Sequence, residues 1–527
     1  MGKTNFYTAV LANLCFILMS VFVVSPVLGG IISYNNPADN QAPGTVSKEY
    51  LPPSGVMPVI VLQGSPYEMG YQYGLQAPEY MAIVRDAAWA SALSTKSYSE
   101  ITESCEVDLE YIKNNLTSFQ FEDFFRGISD SMDDQGYDFT SIDPVVMLYY
   151  GSRQGPVPEE HCTAFAVYGN STGGELIVGD NFDFYQVPAN SYSVLLALYP
   201  EDGYSCIIPS GAGRTGASAV VNENGLVYVV TSGPSGAQGD TGNGIIGYLE
   251  LGYVGMCAGS VSDGEDILLN ITRGFSLNRL LADTSGDAEV IEASHRAYSI
   301  RDSSDDFIIA TNHFLDPEMS ESQSPWDPLQ YNPSSYYRYI TAEKMITGNY
   351  GTVDYSDVKD ILSSTDWWDG KVWHMDDPWS ANTKNRFRSS VATLYSFIAI
   401  PDENIVSICQ GNPDMPLWGT KASGLTGTYF NITVGYTPEV MVYNLRSEAE
   451  QEMWETVKVM GSSPGTWSCE QWSSIEDTYW EGVWWHDKGT LETDPNENTY
   501  AFGKAATAFS SVVMKSEQVK EYCLENS

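Results

Sequence analysis

A short apolar run from Val59 to Gln63 is followed by Gly64-Ser-Pro-Tyr-Glu-Met-Gly70 and Gly74, where the spacing of hydrophobic positions turns from strand-like to helical. Helical spacing, broken by loops, continues to about Tyr150. From Cys162 the rhythm becomes strand, tight turn, strand. Cys162 to Tyr168 and Leu176 to Phe184 flank the turn cluster Gly169 to Gly174. Ser193 to Tyr199 and Tyr204 to Pro209 flank Glu201-Asp-Gly203, and Ala217 to Val221 and Leu226 to Thr231 flank Asn222-Glu-Asn-Gly225. Helices are expected near 245–275 and 333–347, and strands at Asp306 to Thr311, Val391 to Ile400 and Ile405 to Gln410. Hairpins interleaved with helix pairs predict an α+β fold of stacked antiparallel sheets covered by helices.

Ahead of this pattern, Lys3 precedes an uncharged apolar run from Tyr7 to Leu28 that ends in Val27-Leu28-Gly29. Residues 1–29 are read as a signal peptide or as an N-terminal anchor, with the rest of the chain extracellular or on the outer face of the cell membrane. Residues 30–57, rich in Asn, Pro, Gly and Ser, are read as a linker, and the Trp-rich stretch 446–527 as a partly helical extension. Four sequons, at Asn115, Asn170, Asn270 and Asn431, are compatible with export and a glycoprotein.

Composition narrows the function classes. Acidic residues outnumber basic ones 68 to 26, a formal charge of -42, which argues against nucleic acid as a partner. The five histidines are scattered and the cysteines lack paired knuckles, so neither a metal nor another cofactor is expected. Of eight cysteines, Cys15 lies in the export segment and seven remain. An odd number in an oxidising compartment leaves one thiol over after up to three disulfides, and a leftover thiol is a candidate reactive group.

The first hairpin brings such a thiol to a carboxylate. A turn centred between Thr172 and Gly173 sets Cys162 opposite Asp183. A thiol of ordinary pKa, about 8.5, needs a base to become a thiolate. Were Cys162 the first residue of a mature chain, its own α-amine could take the proton, with Asp183 stabilising the ammonium. The plainer alternative is a core cysteine facing an Asp that caps a turn.

His161-Cys162-Thr163 followed by Gly179-Asp-Asn-Phe-Asp183 resembles the self-processing acyl-coenzyme A:isopenicillin N acyltransferase family of N-terminal-nucleophile hydrolases. Gly64 to Gly74, Val221-Asn-Glu-Asn-Gly-Leu226 and Thr311-Asn-His-Phe314 are similar to further motifs of that family, in the same order, over roughly 58–445. The resemblance implies a four-layer αββα sandwich, cleavage between His161 and Cys162, a helical propeptide or small subunit at 58–161 and a catalytic core at 162–445. It implies Cys162 as nucleophile, Asp183 as partner of its amine, Asn312 as oxyanion-hole residue, and Thr163 and Asn181 as supporting motif residues. Asn385-Arg-Phe-Arg388 resembles an arginine-bearing segment of bile-salt hydrolases; Arg386 is favoured near the thiol, and Arg388 is kept, with Ser232, as a substrate-side residue. Asp180 stands where bile-salt hydrolases have Arg, and Ser232 where they have Asn, which argues against a bile-salt type of substrate. His161 replaces the Gly common before the nucleophile in penicillin enzymes.

The implied activity is hydrolysis or transfer of a non-peptide or small-peptide amide through a thioester, with the processed fragments staying associated, Cys105 offering a disulfide between them, and a small-molecule amide, with or without a separate acyl donor, as the partner. The alternatives are lipid-amide or N-acyl-homoserine lactone substrates, or a non-catalytic envelope or binding protein. Gly169-Asn-Ser-Thr-Gly173 matches a nucleophile-elbow pattern and Gly211 to Gly216 a dinucleotide fingerprint, but each leads into a strand, so both are read as turns. The tryptophans Trp367, Trp368, Trp373 and Trp379 are read as packing aromatics.

Overall fold

The computed structural model describes residues 57–151, 162–185, 192–234, 244–302, 305–364, 366–375, 391–411, 428–435, 437–462 and 469–525. The expected export segment, the linker up to residue 56, His161, Trp379, Arg386 and Arg388 lie outside them, while Met57, at the end of the expected linker, is buried in the core. No helix among the described residues is long and apolar enough to cross a membrane.

Strand β1 (Val59–Gly64) leads into helices α1 (Pro66–Gln76), α2 (Pro78–Leu93), α3 (Tyr98–Asn115), α4 (Phe121–Asp134) and α5 (Asp143–Tyr150). Ser65 starts α1 through a reciprocal capping box with Glu68, as the Ser-Pro-Tyr-Glu sequence dictates. Gly70 and Gly127 let α1 and α4 cross almost backbone to backbone. A Cβ on Gly70 would lie 2.0 Å from the Phe124 carbonyl oxygen, and one on Gly127 2.2 Å from that of Tyr67. These contacts explain part of the glycine pattern upstream of the hairpins.

The strands that follow are β2 (Thr163–Val167), β3 (Ile177–Tyr185), β4 (Ser193–Pro200), β5 (Cys206–Gly211), β6 (Ala219–Asn222) and β7 (Val227–Ser232). After α6 (Gly247–Cys257) and α7 (Val261–Asn270) come β8 (Leu277–Ala282), β9 (Ala288–Ala293), β10 (Tyr298–Asp302) and β11 (Phe307–Ala310). Helices α8 (Pro328–Tyr331), α9 (Pro333–Gly348) and α10 (Tyr355–Ser363) precede the small hairpin of β12 (Trp367–Trp368) and β13 (Trp373–His374). The chain continues through β14 (Val391–Ile400), β15 (Ile405–Gln410) and β16 (Tyr429–Thr433) into α11 (Pro438–Ser462), α12 (Cys469–Leu491) and α13 (Pro495–Glu525).

Two sheets carry the architecture, ordered β1-β4-β5-β6-β7-β8-β9-β10 and β11-β2-β3-β14-β15-β16. Side chains alternate across each strand and sort the core into layers. Leu195, Ala197, Val227 and Val229 of the first sheet share one cluster with Ala164, Ala166, Phe397 and Ile408 of the second. Leu196, Leu198, Tyr228 and Val230 face the other way, against helices α1 to α7. Phe165, Val167, Ile398 and Ile400 cover their far side with α9 and α10. The expected αββα sandwich of helix, sheet, sheet and helix layers is therefore present.

Three features depart from the sequence reading. Strand β1 runs parallel to β4, so the first sheet is mixed: the five helices between them act as the crossover that a parallel pair requires. Strands β8 to β10 fall in a stretch where no strand was expected. Their two faces are both covered and include the buried polar residues Asn278, Arg279 and Glu292, which hides the apolar alternation. The C-terminal stretch forms long helices, and Met441, Leu445, Phe502 and Phe509 of α11 and α13 belong to the inter-sheet core itself.

The expected set of disulfides also changes. Cys206 and Cys257 are free thiols whose pKa values burial pushes up, that of Cys257 to about 12, so at most two of the three bridges remain open to the other cysteines.

The outer edge of β1 is closed by side chains. Gln76 donates to the Val61 carbonyl at 2.7 Å and accepts from its N–H at 3.2 Å, Gln72 makes the same pair of bonds with Gln63 at 2.9 and 2.7 Å, and the Val59 N–H donates to Thr507 of α13 at 2.9 Å. Two carboxamides thus imitate a neighbouring strand.

Candidate active site

Cys162 sits one residue before β2 with 2% of its surface exposed, and its side chain joins the inter-sheet cluster. The ladder pairs Thr163 with Asn181 and Val167 with Ile177, so the turn is centred on Thr172 rather than between Thr172 and Gly173. A short 3-10 turn over Gly169–Ser171 makes the difference. One step of register moves side chains to the opposite face. Asn181 and Asp183 consequently share the face of Thr163, and the Cys162 sulfur meets the backbone carbonyl of Asp183, to which it donates at 3.9 Å. The expected thiol-to-carboxylate pairing is corrected to this arrangement.

The Asp183 carboxylate is buried and accepts a hydrogen bond from Thr393 Oγ1 at 2.5 Å. An irregularity in β14 between Thr393 and Tyr395 aims that hydroxyl at it, a common use of a bulge beside a site. Asn181 donates through Nδ2 to the Leu362 carbonyl at 2.9 Å, tying β3 to α10.

Asn312 follows β11. Its N–H donates to Ser335 Oγ at 2.6 Å and its Nδ2 to the Ser232 carbonyl at 3.0 Å, which brings Ser232, at the end of β7, into the same constellation. The Thr311 carbonyl is held by Thr231 Oγ1 at 2.5 Å and Asn278 Nδ2 at 2.6 Å.

A residue the sequence reading missed binds these parts together. Arg338, on α9 and 1% exposed, donates through Nη1 to the Cys162 carbonyl and, at 3.0 Å, to Thr163 Oγ1. Its Nη2 donates to Asn312 Oδ1 at 2.7 Å. Burial lowers its pKa to about 10, with the charges of Asp183 and Cys162 pulling the other way, so the guanidinium stays charged at neutral pH.

Other titratable neighbours are less suited to proton transfer. His313 shares a hydrogen with Ser335 Oγ at 2.7 Å, but burial and then the Arg338 and Arg301 charges lower its pKa to about 3, leaving a weakly basic neutral ring. Asp180 points into the inter-sheet layer. Burial raises its pKa to about 7; Ser218 Oγ donates to it, and Tyr395 OH lies 2.7 Å from that hydroxyl.

The remaining motifs have structural work. Asn222 accepts from the Asn224 and Leu226 N–H groups, both at 3.1 Å, and donates to the Gly255 and Ala258 carbonyls at the end of α6. Ser171 is buried, with its hydroxyl 2.8 Å from the Tyr168 and Asp306 carbonyls, a turn lock. Trp367 stacks on His374 at 4.1 Å, in the small hairpin that packs on α9. No group of three or more metal-binding side chains occurs among the described residues.

Residues 170–415 match the family model described as Acyl-coenzyme A:6-aminopenicillanic acid acyl-transferase. The resemblance read from the motifs is shown. The matched stretch contains Asp183 and Asn312 and begins after Cys162. An uncharacterized protein of Archaeoglobus fulgidus is 24% identical over 345 residues, 57% of this chain and 56% of the relative, so the chain spans little more than half of that relative's length. Among solved structures, the R18L variant of conjugated bile acid hydrolase from Clostridium perfringens is 13% identical, covering 52% of this chain and 92% of its own, with a TM-score of 0.34. Penicillin V acylase from Agrobacterium tumefaciens is 15% identical over 52% of this chain and 86% of its own, at 0.31. The Caenorhabditis elegans ortholog of N-acylethanolamine-hydrolyzing acid amidase is 13% identical over 46% and 93%, also at 0.31. The fold described above rests on its own strand order and layers. The family match is to an acyl-transferase model over residues 170–415.

Proposed function

We propose that this chain is an exported precursor that cuts itself before Cys162 and then hydrolyses or transfers the acyl group of a small amide. In the first step the Cys162 sulfur attacks the carbonyl carbon of His161, the peptide C–N bond breaks, and the acyl group moves to sulfur while the α-amine of Cys162 is released. Water then cleaves the thioester, returning the thiol and leaving a carboxylate on His161. In turnover the freed α-amine takes the thiol proton, the thiolate attacks the substrate amide, and the leaving amine departs with that proton. Water or a second amine resolves the resulting thioester. Asn312 Nδ2, with one hydrogen on the Ser232 carbonyl, has a second to offer the developing oxyanion, a contribution of a few kcal/mol when preorganised.

The observation that carries this reading is that Arg338 ties the Cys162 carbonyl to the Asn312 side chain while the Cys162 sulfur rests on the Asp183 carbonyl, and that His313, beside Asn312 among the described residues, is held weakly basic. The test is a reducing gel with N-terminal reading of the larger fragment. Wild-type protein should give a fragment that begins at Cys162, and Cys162→Ala should stay whole and turn over no N-acyl amide. A wild-type chain that stays intact and has no Cys162-dependent activity ends the proposal.

A further inference from the structure

We propose that Arg338 is a positioning residue that sets which end of the Asn312 carboxamide faces the reacting carbonyl and fixes the peptide plane that follows the nucleophile. The inference rests on the function proposed above and deepens it at the same site.

A guanidinium only donates hydrogen bonds. Its Nη2, 2.7 Å from Asn312, therefore holds Oδ1 and turns Nδ2 away, toward the Ser232 carbonyl at 3.0 Å. The second Nδ2 hydrogen is then the one presented to a developing oxyanion. A carboxamide free to rotate by half a turn would present an oxygen there, and repulsion would replace stabilisation. The same guanidinium grips the Cys162 carbonyl and Thr163 Oγ1 through Nη1. That grip fixes the backbone from which both the nucleophilic sulfur and the future α-amine project. One planar fork thus spans the nucleophile and the oxyanion donor, which reach the site from β2 and β11. Lysine, a point charge without a fork, cannot hold both.

Among the described residues no carboxylate hydrogen-bonds to Arg338: besides these three oxygens it donates to Ser334 Oγ at 3.5 Å. Its charge, which acts on Asp183 and on Cys162, favours the thiolate of Cys162.

The experiment follows self-cleavage by pulse-chase and the pH dependence of Cys162 alkylation by iodoacetamide, read on its peptide by mass spectrometry, for wild type, Arg338→Lys, Arg338→Met, Thr163→Val and Cys162→Ala. Arg338→Lys and Arg338→Met should each slow cleavage roughly 100-fold, the scale of a lost oxyanion donor. Arg338→Lys should keep the wild-type alkylation profile, whereas Arg338→Met should move its midpoint upward by about one pH unit. Added guanidinium chloride should restore part of the Arg338→Met rate. Thr163→Val keeps the buried charge and the apolar packing, and should slow cleavage about tenfold. Wild-type cleavage rates in Thr163→Val and in either folded Arg338 variant overturn the inference. If wild type and Cys162→Ala are indistinguishable in cleavage, the functional reading itself falls, and the alkylation profiles still decide whether Arg338 acts on the thiol.

Discussion

Among the buried arginines of the described residues, Arg279 and Arg338 are used in different ways. Arg279, on β8, meets Glu250 of α6 with both partners at 0% side-chain exposure, through Nε and Nη2 bonds of 2.8 Å each, and Tyr228 OH closes the group at 3.0 Å from the carboxylate. Burial lowers the Arg279 pKa, but Glu250 and Tyr228 together outweigh it and raise the value, so the charge is met where it stands. Arg338 is equally buried, but its partners are a carbonyl, two hydroxyls and an amide oxygen, and burial lowers its pKa. A hydrogen-bonded ion pair braces the helix layer against the sheet, whereas a guanidinium held by neutral oxygens interacts with Asp183 and Cys162 through its charge alone.

The sharpest way to break this contrast is to open the compensated pair. Glu250→Gln leaves the Arg279 charge buried with half a partner, and should cost about 3–5 kcal/mol in denaturant unfolding while leaving the Cys162 alkylation profile unchanged. A shifted profile would mean that the two sites are not independent.

Next in size is Asp180, a buried carboxyl with no cation beside it among the described residues. Its folded pKa, raised to about 7 by burial, stands above the unfolded value near 3.9. Its stability contribution is therefore fully present below about pH 4 and is lost as pH rises to about 7, because the unfolded chain gives up a proton that the folded one retains. Asp180→Asn should show no such loss. Its melting temperature relative to wild type should rise between pH 4 and pH 8, a difference of roughly 2–4 kcal/mol, and parallel pH curves would contradict the assignment.

Smallest is Thr393→Val, which removes the hydroxyl from Asp183 Oδ1. It should cost about 1 kcal/mol of stability and slow self-cleavage a few-fold, measured beside the Arg338 variants.

The sequence made the near neighbours of the site legible and left the distant ones obscure. Cys162, Thr163, Asn181 and Asp183 lie on one hairpin, so turn residues and alternation place them together to within one residue, and the residual error is the short 3-10 turn over Gly169–Ser171. Asn312 was reachable only through its motif. Arg338 is 176 residues from Cys162, on a helix whose buried face carries Ser335, Arg338 and Thr341 as well as Ala342 and Ile346. A polar residue on a core-facing stripe reads as a surface residue when only hydrophobic spacing is scored. β8 to β10 were obscured for the same reason, by buried Asn278, Arg279 and Glu292.

The glutamine-sealed rim of β1 bears on what maturation does. β1 lies upstream of the proposed cut, pairs with β4 downstream of it, and is bolted to α13 near the opposite terminus through Thr507. Severing the backbone before Cys162 therefore leaves a nicked molecule whose two pieces are woven into one sheet. They should co-purify through a tag on either piece and part only in denaturant.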